Sequence, residues 1–161
     1  LKTILLIVLA FALAGCGFHL RGTADMPFDT VYVPGATSGI ALGLARNLRA
    51  GSSVKVVDDA KQAEAILEFS GETRAKEILS LTGAGRVREF RLRYRVGFRV
   101  HDGKGNDYVP QNTLELTREV TYNDADVLAK ESEEELLFRD MQGDMVQQIM
   151  RRLSAAHKPK A

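Results

Sequence analysis

The 161-residue chain contains a single cysteine, Cys16. With no second thiol it forms no internal disulfide, and zinc or iron–sulfur ligation by thiolates needs more sulfur than one residue supplies. Its fold must therefore rest on packing. Histidine is scarce as well: His19, His101 and His157 stand far apart, none with a second ligand at metal-binding spacing. No serine occupies a nucleophile elbow, and Gly83-Ala84-Gly85 lacks the lysine and following helix of a phosphate loop, so it is a turn. No two carboxylates stand out as an acid and base, which makes an enzyme the weaker expectation. Neither sign of charge dominates, since 22 basic and 21 acidic side chains leave a net charge of +1. Electrostatic function must come from where charges sit, and general nucleic-acid binding loses support.

The chain also lacks a long apolar run. Ile4 to Ala14 falls short of the roughly 20 residues needed to cross about 30 Å of hydrocarbon. Preceded by Lys2 and ending in small residues, it has the pattern of an export signal. Leu13-Ala14-Gly15-Cys16 resembles the lipobox of bacterial lipoproteins, in which cleavage before the cysteine leaves an acylated N-terminus. Residues 1–15 are expected to be a signal peptide, 16–29 a lipidated tether, 30–153 one domain and 154–161 a flexible tail. One acyl chain holds a protein only reversibly, so permanent attachment needs several on Cys16. Gly17 stands where an aspartate would favour retention in the inner membrane, which points to the outer membrane. No cofactor is expected beyond this covalent lipid.

Beyond the tether the chain has the patterning of an α+β domain. Thr30 to Val33 is a strand, stopped by Pro34 and Gly35. Ser38 is placed to cap a helix with Ile40, Leu44, Ala45 and Leu48 on one side, ending at Gly51. Val54 to Val57 and the alternation Ala65, Leu67, Phe69 give two further strands. The clearest periodicity runs from Val87 to Val100, where Phe90, Leu92, Tyr94, Val96, Phe98 and Val100 share one parity and Arg91, Arg93, Arg95 and Arg99 the other. Side chains on a strand alternate in direction, so this strand has one oily and one basic face. Asp102-Gly103 and Gly105 supply a turn. Leu114, Leu116, Val120 and Tyr122 then line the next strand, their inward row broken by Arg118. The last helix is expected from about Ser132 to Leu153, with Ser132 and Glu135 as a capping box and Leu137, Met141, Met145, Ile149 and Leu153 on its apolar stripe.

The basic face offers two readings. Guanidinium forks at Arg86, Arg88, Arg91, Arg93, Arg95 and Arg99 suit phosphates or carboxylates. Equally, a hairpin centred on Gly105 sets Arg95 against Glu115 and Arg91 against Glu119, where they neutralise one another. In that register Arg93 faces Thr117 and Arg99 faces Gln111, with no acid directly opposite.

Cys16-Gly17-Phe18-His19-Leu20-Arg21-Gly22 at one end, and Leu116-Thr117-Arg118, Tyr122-Asn123-Asp124, Leu128-Ala129-Lys130-Glu131, Arg139-Asp140-Met141, Gln147-Gln148-Ile149 and Arg151-Arg152-Leu153 towards the other, resemble the lipopolysaccharide-assembly lipoprotein family LptE. The likeness covers almost the whole chain. It implies a sheet of about four strands, mixed or antiparallel, with two helices on one face. It further implies a non-enzymatic outer-membrane lipoprotein that plugs the lumen of the barrel LptD, helps the barrel assemble and binds lipopolysaccharide in transit. Lys130 falls where the family has a basic residue linked to that ligand. Arg86, Arg88 and Arg93 join it as candidate ligand residues on charge and position. The competing expectations are a lipid-anchored envelope enzyme and a scaffold whose arginines only balance nearby acids.

Overall fold

The computed structural model describes residues 24–122 and 127–159. The expected signal peptide, Cys16 and Asn123-Asp124 lie outside the described residues. In chain order the elements are β1 (Thr30–Tyr32), α1 (Gly39–Gly51), β2 (Lys55–Val57), a 3-10 turn (Ala60–Gln62), β3 (Ala65–Leu81), β4 (Val87–His101), β5 (Asp107–Thr121) and α2 (Val127–Ser154). The strands form one five-stranded sheet in the order β2-β1-β3-β4-β5, one strand more than the family resemblance implied. β1 runs parallel to β2 and β3, whereas β3, β4 and β5 form an antiparallel meander.

Parallel neighbours need a crossover, and α1 supplies it between β1 and β2. Ser38 occupies the N-cap position with extended backbone, but its hydroxyl makes no capping bond. The helix is held by its buried face instead, Ile40, Ala41, Leu44, Ala45 and Leu48. It lies close against α2: a Cβ at Gly43 would stand 3.1 Å from Val146, and Gln147 donates a 2.9 Å bond to Asn47. The centre of the core is β4, whose Leu92, Tyr94, Val96, Phe98 and Val100 are buried together with Met141, Met145, Ile149 and Leu153 of α2. Each such side chain contributes about 1.5–3 kcal/mol by leaving water.

Two elements differ from their expected bounds by several residues. β3 continues to Leu81, well past the apolar alternation that ends at Phe69. Its register pairs Glu72, Arg74, Lys76 and Ile78 with Val96, Tyr94, Leu92 and Phe90, so three charged side chains stand on the helix side of the sheet. They are satisfied there. Glu72 accepts a 2.5 Å bond from the Tyr94 hydroxyl, and Arg74 donates 2.9 Å to Gln142 while its guanidinium lies 5.2 and 5.6 Å from the Tyr94 and Phe138 ring centroids. Burial, reinforced by Glu72, pushes the Tyr94 phenol pKa far up, so it stays a donor. α2 in turn begins at Val127, which corrects the expected start: Ser132 and Glu135 lie inside the helix and form no capping box. Leu128-Ala129-Lys130-Glu131 are all good helix formers and carry the helix back beyond the expected cap.

The domain has two ends. Ala24 bridges to Ser52, its amide donating 2.9 Å to Gly51 O, and Phe28 is already buried, so the stretch before β1 joins the fold at the end where β3 begins. The β4–β5 turn lies at the same end. There the Asn106 side chain and then the Lys104 amide hold the Asp102 carboxyl down at about 2. The β3–β4 turn and the start of α2 lie at the far end, about 50 Å away by the rise of a strand as long as β3.

Gly97 is required by a close approach: Ser70, beside a bulge in β3, reaches over it to accept 2.6 Å from Gln111 of β5, and any Cβ at 97 would collide with that hydroxyl. Gly97→Val is expected to lower the urea-unfolding free energy by about 1–3 kcal/mol, with Ser70→Ala restoring part of the loss. The Asp102 turn has its own signature. Its folded pKa is depressed, so its stabilisation is complete above the unfolded value of about 4 and disappears as pH falls through about 2. Acid titration of Asp102→Ala should show a shallower stability loss between these two values than the parent.

Candidate functional site

On the sheet face away from the helices, the arginines of β4 meet acids from both neighbours. Arg91 reaches Glu119 at 3.2 Å, Arg95 reaches Glu115 at 2.5 and 2.9 Å, and their pairing follows the expected register. Arg93 lies opposite Thr117, but it takes Glu77 from β3 at 3.1 Å, and its Nε stands 3.4 Å from Glu115, in ion-pair range but not aligned for a hydrogen bond. The expected pairing of Arg99 with Gln111 does not occur. A register shift after Phe98 moves β5, and Arg99 donates 2.7 Å to Asp107. Both arginines expected to have no acid directly opposite therefore reach one, because β3 is longer and β5 is bulged. The Arg95 hydrogen bond, helped by Arg95 and Arg93 charge, holds the Glu115 carboxyl below its ordinary range.

The far end is built differently. The β3–β4 turn is closed by Thr82 N–H to Arg86 O at 2.7 Å, with Gly85 at φ 74° supplying the left-handed residue. Arg86 sits in that turn. Arg88 is exposed, and its backbone oxygen accepts 2.8 Å from Tyr122 N–H, bringing it beside the end of β5. On the helix side, Phe90 and Tyr122 meet edge to face at 5.2 Å. With Leu92 and Val120 they floor a cavity of about 10 Å³, room for about one water, closed by Lys76, Lys130 and Glu134. Lys130 is ion-paired to Glu133 at 2.7 Å. Lys76 lies 4.3 Å from the Phe90 ring centroid and 2.5 Å from Glu134. Ile78 and Leu81 of the same hairpin are 59% and 55% exposed.

The structure thus separates the four predicted ligand residues. Arg86 and Arg88 stand at the turn and strand end, Lys130 stands over the aromatic floor, and Arg93 is on the opposite face among acids. Lys76 was missed from the sequence, because the segment containing it shows no apolar alternation. Its spacing with Glu72, Arg74 and Ile78 at every second residue was the available signal. Chemically, cations above an aromatic and aliphatic floor suit an anionic amphiphile better than a small polar substrate. Among the described residues no group of His, Cys, Asp and Glu could hold a metal ion, and no helix is long and apolar enough to cross a membrane.

A five-stranded mixed sheet with two helices on one side and an amphiphilic far end defines a small α+β binding or assembly module. Comparison with known proteins gives it a family. The family model "LptE: Lipopolysaccharide-assembly" matches residues 28–153. The LPS-assembly lipoprotein LptE of Yersinia pestis (strain Pestoides F) is 31% identical over 159 residues, covering 96% of this chain and 76% of that protein. Among solved structures, uncharacterized lipoprotein B from Nitrosomonas europaea, determined by NMR, is 43% identical with a TM-score of 0.74, over 86% of this chain and 91% of that one. Rare lipoprotein B from Shewanella oneidensis, a crystal structure, is 25% identical with a TM-score of 0.67, over 78% and 92%. The chain belongs to the LptE family of lipopolysaccharide-assembly lipoproteins, which is not an enzyme family.

Glu115→Gln removes an acid shared by Arg93 and Arg95. Because the folded carboxyl is held below its ordinary range, its stabilisation is present at neutral pH and lost on acidification. The variant should unfold at lower urea than the parent at pH 7, with the difference closing as the carboxylate range is crossed.

Proposed function

We infer that this protein is an outer-membrane lipoprotein, acylated at Cys16, that binds lipopolysaccharide at the far end of its sheet and works in complex with the LptD barrel. The single observation that carries the ligand assignment is the meeting of Lys130 and Lys76 with the Phe90–Tyr122 floor, next to Arg88 and the exposed Ile78. Phosphates would take the cations and acyl chains the aliphatic surface. Family membership supports the assembly role. The distance between the two ends supports the geometry, since a chain tethered before Ala24 presents its far end about 50 Å from where it joins the fold. A plug needs a rigid body with a polar surface to meet a polar lumen, and the paired Arg, Glu and Thr rows of β4 and β5 offer one. In this reading Arg86, Arg88 and Lys130 serve the ligand, whereas Arg93 holds β3, β4 and β5 together.

Purification of the tagged lipoprotein in mild detergent should bring the barrel with it in equal amount. With immobilised lipopolysaccharide, the double variant Lys130→Glu, Arg88→Glu should lose about tenfold or more in affinity, as expected for two charge-assisted contacts. Arg93→Met should instead lower stability and leave binding by the folded fraction unchanged. Equal loss from Arg93→Met, or none from the double variant, contradicts the assignment.

A further inference from the structure

The first turns of α2 are attached to the rest of the domain in a way its remainder is not. From Lys130 to Leu136 no side chain is fully buried, and Leu136 is 56% exposed; core packing begins with the partly buried Leu137 and continues through Phe138, Met141, Met145 and Ile149. This stretch crosses above Phe90, Val120 and Tyr122. The 2.5 Å pair between Lys76 of β3 and Glu134, both partly exposed, ties it to the sheet. Lys130, the other cation over the floor, is engaged by Glu133 of its own helix at 2.7 Å. As it stands, the space over the floor admits about one water and no acyl chain. An anionic amphiphile arriving there finds both lysines occupied by acids and the apolar floor closed.

We propose that the Lys76–Glu134 pair is a latch: an anionic lipid head group displaces Glu134 from Lys76 and Glu133 from Lys130, and the amino-terminal turns of α2 lift from Phe90, Val120 and Tyr122 to expose an apolar groove for acyl chain. This rests on the assignment of the ligand to the far end and adds to it a moving part and two acids with a defined role. The phosphate exchanges one acid partner for another at each lysine, so the cations are never left bare. From Lys130 to Leu136 opening uncovers no fully buried side chain, whereas the helix beyond Phe138 stays anchored. Glu134 thereby acts as a competitor of the ligand, holding the groove shut until a dianionic head group outcompetes one carboxylate.

Amide hydrogen exchange on the full chain in detergent tests this, read as the rate for residues 131–137 relative to 145–153. Without ligand, Glu134→Gln should speed exchange of the first segment about two- to fivefold, the range expected for one partly exposed ion pair. The exchanged pair Lys76→Glu with Glu134→Lys should restore the parent rate. Adding diphosphoryl lipid A to the parent should speed the same segment although a ligand has bound, and Glu134→Gln should bind lipid A about two- to fivefold tighter. Unchanged exchange in Glu134→Gln, or slower exchange of 131–137 with lipid A bound, overturns the latch while leaving the binding site in place. If lipid A binds neither form, the ligand assignment falls and takes the trigger with it.

Discussion

The two-sided character of β4 is the constraint on which the rest depends. One side buries Leu92, Tyr94, Val96, Phe98 and Val100 against the methionine-rich face of α2, and the other carries arginines that must be neutralised. The apolar side fixes register, since a slip of one residue would turn every arginine inward. The polar side then requires acids at matching positions on both neighbours, and Glu77, Glu115, Glu119 and Asp107 provide them. Exposed pairs of this kind contribute little singly. Arranged as a ladder across three strands, they make mispairing costly, because a shifted strand would oppose like charges.

The same alternation made the middle of the molecule legible from the residues alone. β4, its hairpin with β5, the amphipathic α1 and the apolar stripe of α2 were all readable from period and parity. The distal half of β3 was not, because Glu72, Arg74 and Lys76 occupy positions where a half-buried strand usually shows apolar residues. Those charges are tolerated only because Tyr94, Gln142 and Glu134 wait for them on other elements, which no local pattern reveals. The start of α2 was misplaced for a related reason. A capping signature at Ser132 and Glu135 was locally plausible, yet the helix-forming residues before it continued the helix.

The candidate site followed the same division. Arg86, Arg88 and Lys130 are candidates from charge, turn position and family likeness, but their relation to an aromatic floor depends on β5 bringing Tyr122 beside Phe90. Lys76 was hidden with the strand that carries it. The arginine row, the most conspicuous basic feature of the sequence, is largely consumed by its own neighbours. A count of charges draws attention to that face and away from the far end, where fewer cations stand over apolar surface. For an amphiphilic ligand this combination matters more than the number of arginines.

Placement of the ligand is tested most directly by a photo-crosslinking residue introduced in living cells at Ile78 or Tyr122, compared with one at Thr73 or Thr117 on the arginine face. Lipopolysaccharide adducts are expected from the first two positions and none from the second two. Adducts from Thr73 or Thr117, with Ile78 and Tyr122 silent, would contradict a ligand site at the far end of the sheet.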